Sequence, residues 1–165
     1  MKDLTAASST TAWVVVANKP FYPLYVWWLA GSGWRASLWT LAALPLFLAL
    51  PFVARRAPLV ARAGLPLVGV IDTAFSAFVF GEGSGVESFL IPCAALAALS
   101  FTRDEAWTSR VLTAGVFVAF SGLRWLAPAG IGAWPAGELP AMVNLNLYSA
   151  AALTAFVGLR FAAAR

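Results

Sequence analysis

The chain has 165 residues, of which 61% are hydrophobic and 11% charged, with a net charge of +4 and a mean hydropathy of +0.81. A soluble domain carries about 25% charged residues, and so short a chain cannot hide this much apolar surface in one aqueous core, so the bilayer has to act as its solvent. Apolar runs such as LWTLAALPLFLALPFVA lack the alternation a transmembrane barrel needs, and basic residues scattered at the ends of those runs are no nucleic-acid footprint.

The expected fold is all-α, a polytopic bundle of about six transmembrane helices in a single domain, at roughly 20 residues per span. The N-terminus shows no cleavable signal peptide, since Lys2 stands ahead of the polar stretch TAASSTT rather than an apolar one. The first helix is expected over residues 12–34, although Asn18, Lys19, Pro20 and Pro23 interrupt it. Lys19 can carry its ammonium to the near interface along an apolar stem. In the other reading, Trp13 to Val16 lies along the membrane surface and a short span begins near Phe21.

The second helix is expected over 36–54 and the third over 59–80. Asp72 lies inside the third, in GVIDTAFSAF, eight residues before its outer end, or about 12 Å below the surface. A carboxylate at that depth is costly, so it should face the bundle interior, take a proton or find a partner, with Thr73 and Ser76 near enough to donate. One reading is an ion, proton or ligand site. The other is a hydrogen bond that locks helix packing.

The Gly-rich segment GEGSG, residues 81–85, lacks both the lysine and the preceding strand of a phosphate loop, and reads as a tight turn. The fourth helix, 86–101, is short and contains Cys93, read as a small buried hydrophobe. The fifth is expected over 109–126. After the Pro- and Gly-rich loop APAGIGAWPAGELP, expected to form a surface or re-entrant turn, the sixth covers 141–161. Pairs such as Ala94 with Ala98 and Ala151 with Ala155 permit close helix approach.

Basic residues set the orientation. With the N-terminus inside, the inner segments hold Lys2, Arg55, Arg56, Arg62, Arg103, Arg110, Arg160 and Arg165, and the outer ones keep Arg35 and Arg124. That asymmetry puts both termini in the cytoplasm and points to a bacterial inner membrane. Trp27, Trp28, Trp34 and Trp39 crowd the first outer hairpin, Trp125 and Trp134 flank the last, and Trp107 marks the inner side, as in an aromatic belt. The two halves of the chain share no motif, which counts against a transporter built from inverted repeats.

Asp72 has polar company in the outer half: Glu87 at the start of the fourth helix, Arg124 near the end of the fifth, and Asn144 and Asn146 in the sixth. In a compact bundle these can meet in one ligand pocket opening outwards. The bland alternatives are that Glu87 serves the helix dipole and Arg124 reaches lipid phosphate. With no histidine and one cysteine, the chain has no Cys/His zinc site, no His-ligated haem, no internal disulfide and no histidine base for a serine nucleophile. No catalytic site is expected. The residues specify neither a metal nor a cofactor.

The stretch FGEGSGVESFLIPCAALAALSFTRDEAW, residues 80–107, resembles the central hairpin of the six-helix membrane sensory regions of bacterial sensor histidine kinases and nucleotide cyclases. Gly81 and Gly85 supply the G-x-x-x-G turn, an apolar helix follows, and Phe101, Arg103 and Glu105 supply the exit. The last helix, NLNLYSAAALTAFVGLRF, is similar in style. The resemblance implies a sensory or small-ligand-binding membrane module. It departs at the turn position often held by histidine, which is Glu87 here. With no output domain after the last helix, such a module is expected to stand alone or to signal to a membrane partner through helix contacts. Membrane lipid and a second copy are further expected partners. An accessory subunit of an energy-converting complex is the competing expectation, and a small transporter using Asp72 the third.

Overall fold

The computed structural model describes residues 2–126, 129–131, 134, 135 and 137–164. Met1, Arg165, the side chain of Lys2, and residues 127, 128, 132, 133 and 136 of the expected outer loop lie outside that set. All regular structure among the described residues is helical. In chain order the helices are α1 (Lys2–Asn18), α2 (Tyr22–Leu29), α3 (Trp34–Ser37), α4 (Leu44–Val53), α5 (Pro58–Phe80), α6 (Leu90–Leu99), α7 (Ala106–Leu126) and α8 (Leu139–Ala162).

Short 3-10 segments extend or link several of these helices. Lys19–Phe21 joins α1 to α2, Leu38–Ala43 joins α3 to α4, and Val86–Phe89 precedes α6. Among the described residues, four stretches are long and apolar enough to cross a bilayer: Trp34–Val53, Pro58–Phe80, Arg103–Leu126 and Leu139–Ala162. Val86–Leu99 is apolar but shorter.

The first pass differs most from the sequence expectation, because helix begins at Lys2 rather than near residue 12. TAASSTT folds as helix because its small residues make a packing face. Leu4, Ala7, Ser8, Thr11 and Ala12 are all buried, at helical spacing. The Thr10 and Thr11 hydroxyls donate to the carbonyls of Ala6 and Ala7, each at 2.9 Å, so the polar atoms of these two threonines are satisfied within the helix. The expected interruption at Asn18 to Pro23 is real but local. Pro20 lacks the N–H that an α-helix would use, the backbone tightens into a 3-10 turn, and Pro23 opens α2.

Two buried clusters stack along the bundle. One gathers Val26, Phe80, Val86, Leu90, Cys93 and Met142, and the other Leu4, Phe47, Leu50, Leu65, Val157 and Phe161. Leu4 and Phe161 share the second cluster, so the beginning of α1 and the end of α8 lie at one face of the bundle. That face also carries Arg55, Arg56 and the turn at Arg103–Glu105. The opposite face is tied by the Ser32 amide and hydroxyl, which donate to the Glu138 carboxylate at 3.0–3.2 Å.

Gly81 ends α5 at that second face with φ +81° and ψ 175°, a conformation open almost only to glycine. A Cβ there would stand 2.8 Å from the Ala129 carbonyl oxygen. Gly81→Ala is expected to cost about 1–3 kcal/mol in reversible detergent unfolding, from backbone strain together with displacement of the 129–131 segment.

Candidate functional site

Between the two clusters lies a cavity of about 440 Å³, mostly apolar, walled by α1, α2, α4, α5, α6 and α8 and by the turns beside them. Its size falls in the range of small-molecule sites. Asp72 sits in its wall, which matches the expectation that this carboxylate faces the interior. The partner is Lys19. Its Nζ donates to Asp72 Oδ2 at 2.7 Å, with side-chain exposures of 10% for Lys19 and 16% for Asp72.

This corrects the expected snorkelling of Lys19. The 3-10 turn at Lys19–Phe21 directs the side chain inward, where it lies 5.6 Å from the Phe47 ring centroid as well. A carboxylate well inside a span offers a buried ammonium more than the interface does, because each neutralises a charge the bilayer cannot solvate. The second oxygen, Asp72 Oδ1, is buried without a hydrogen-bond partner. Thr73 does not supply one, since its hydroxyl donates to the Gly69 carbonyl at 2.8 Å.

Asn146 joins the site through an intermediary. Its Oδ1 accepts from the Tyr22 hydroxyl at 2.7 Å, and its Nδ2 donates to the Ser84 carbonyl at 2.8 Å. Tyr22 lines the cavity, so this fully buried amide links the cavity wall, α8 and the turn after α5. The Ser84 hydroxyl in turn donates to the Gly81 carbonyl at 2.9 Å, which holds the GEGSG segment as the tight turn expected from sequence.

The other expected members are not brought to this cavity. Glu87 and Arg124 meet in a separate cleft of about 20 Å³, together with Gly81 and Glu82, with room for about one water. Asn144 is exposed, two positions from Asn146 and so on the opposite side of α8. A single pocket holding Asp72, Glu87, Arg124 and Asn144 therefore does not form. All four lie in the half of the bundle nearer the Ser32–Glu138 tie, but helix rotation keeps Asp72, Asn144 and the Glu87–Arg124 pair apart. Cys93, buried as expected, lines the cavity and backs onto Gly69, where a Cβ would come within 2.6 Å of its sulfur.

A second polar centre stands near the basic face. Arg62, only 2% exposed, donates through Nη1 and Nη2 to the two Glu105 oxygens at 2.7 and 2.6 Å, and through Nη1 to the Ser100 carbonyl at 2.8 Å. Glu105 also accepts from the Thr102 amide at 3.0 Å, completing a capping box before α7. Sequence reasoning assigns Arg62 a topological role alone, because no spacing rule connects it to a turn 43 residues later.

With the geometry in place, comparison with known proteins adds one relationship. The sequence profile of a family designated MASE7 matches residues 5–164. No curated protein matches the chain.

Proposed function

The chain belongs to MASE7, a family of membrane-associated sensory domains, and from that premise we propose that it is a non-enzymatic ligand sensor whose small-molecule site is the cavity beside Lys19 and Asp72. The observation that carries this reading is the cavity of about 440 Å³ at the break between α1 and α2. An apolar chamber with few polar groups is the usual form of a small-ligand site. Its position matters as much as its size. Lys19 and Tyr22 line it from the 3-10 turn and the first residue of α2, so an occupant bears on the one place where the first pass departs from α-helix.

A ligand shifts a conformational equilibrium only by its differential affinity for the two states. The two states proposed are alternative settings of the break. The cluster that includes Leu4, Val157 and Phe161 then carries the change to the helix ends at the basic face. With that face in the cytoplasm, as the distribution of arginines suggests, the change is received there by an output domain of the kinase or cyclase kind.

The test is organic extraction of the protein purified in native bilayer discs, followed by mass spectrometry. A small molecule other than the bulk phospholipid, enriched near one per chain, is expected in the wild type. In Ala152→Phe, which places a ring into the cavity from α8, its recovery should fall about tenfold or more, equivalent to a small loss of binding free energy. A wild-type extract with nothing enriched over the bulk lipid would sink the reading.

A further inference from the structure

The cavity has a side opening. Four of its lining residues, Val14, Asn18, Tyr25 and Ala152, are exposed, and every other lining residue is buried or half-buried. Those four lie on α1, α2 and α8 alone. Along α8 the lining positions 149, 152, 153 and 156 follow helical spacing, so one stripe of that helix borders the gap.

Two ties frame it. Towards the face of the Ser32–Glu138 tie, α2 and α8 are joined by the Tyr22–Asn146 hydrogen bond of 2.7 Å. Towards the basic face, Leu4 and Ala7 of α1 and Val157 and Phe161 of α8 belong to the same buried cluster. Between the ties the exposed lining residues Val14, Asn18, Tyr25 and Ala152 leave the cavity open at the bundle surface. In a membrane-spanning bundle this window, set at mid-span, faces hydrocarbon rather than water.

The polar wall restricts what can pass. Lys19 and Asp72 already neutralise each other at 2.7 Å, so a charged visitor would bring an uncompensated charge into a low-dielectric chamber. A neutral visitor carries no such cost. The pair also has unused hydrogen-bonding capacity. Lys19 has three donors and uses one on Asp72, while Asp72 Oδ1 accepts none. A hydroxyl, as donor and acceptor together, complements both groups.

Resting on the cavity as the ligand site, we infer that the sensor takes a neutral, bilayer-dissolved amphiphile with a hydroxyl head group, which reaches Lys19 and Asp72 sideways through the window between α1 and α8. The apolar body fills the chamber and the hydroxyl ends on the ion pair. Bulk phospholipid is excluded by its charged head group, which cannot follow the chain past the window.

The test is photolabelling of the full chain in phosphatidylcholine discs with three diazirine probes: a long-chain alcohol, its permanently charged sulfate ester, and a phosphatidylcholine carrying the diazirine in its acyl chain. Peptide mapping should place the alcohol on residues 14–25 and 149–156 about tenfold above either other probe. Val14→Trp, which narrows the window from α1 at an exposed position, should cut that labelling severalfold and leave labelling of the outer surface of α7 unchanged. Equal wall labelling by the sulfate ester overturns the neutral class and leaves the cavity site standing. Equal labelling by the phospholipid assigns the chamber to bulk lipid, and indifference to Val14→Trp removes the window. Failure of all three probes to reach the walls overturns the inference and the cavity site together.

Discussion

Lys19→Met is expected to destabilise the bundle by about 3–5 kcal/mol, the cost of leaving one member of a buried pair without its partner. Asp72 is only 16% exposed, and its Oδ1 already lacks a hydrogen bond, so it has no second donor to fall back on. The methionine keeps most of the apolar stem and its contact with the Phe47 side, which confines the change to the charge. In Lys19→Met/Asp72→Leu most of the loss should return, because the demand for solvation leaves with the carboxylate. The measurement is reversible unfolding in mixed micelles for the two single variants and the double variant, analysed as a cycle. Should Lys19→Met cost under about 1 kcal/mol, the ion pair would be behaving as a solvated surface pair, and the dry chamber argued for above would have to hold water.

The same residues show how far the sequence could be read. The helical membrane class follows from composition, because no aqueous core could absorb so many apolar residues in so short a chain. Asp72 stood out for the same reason, since a lone acid inside an apolar run carries its cost on its face. Its partner did not. Lys19 lies beside two prolines at what looked like an interface, and the turn that swings it inward depends on Phe47 and Asp72, 28 and 53 residues away. TAASSTT is polar by composition and precedes the helix expected over 12–34, whereas Ser8 and Thr11 are buried on a helix face together with alanines. Helical rotation was the other obstacle. Depth along the bundle can be counted from the sequence, so Glu87, Arg124 and Asn144 were placed in the same half as Asp72. Which way each points is set by packing, and it separates them. Asn144 and Asn146 differ by two positions, enough to put one outside and the other in the Tyr22 network.

Arg62→Met should be comparably damaging, by about 3–5 kcal/mol. It removes three hydrogen bonds and a contact 5.7 Å above the Phe101 ring, at a site with 2% exposure. Glu105 keeps its bond from the Thr102 amide in the variant, so α7 retains its cap and the loss reports on the tie between α5 and the turn. Glu105→Gln should lose stability too, because it strands a buried guanidinium, and Arg62→Met/Glu105→Gln should recover part of it. The measurement is reversible unfolding of the two single variants and the double variant, and additive losses would show that the pair does not couple α5 to the basic face. The helix carrying Asp72 would then be free to move without disturbing the turn that precedes α7, and the route from cavity to partner would have to run through α1 and α8 alone.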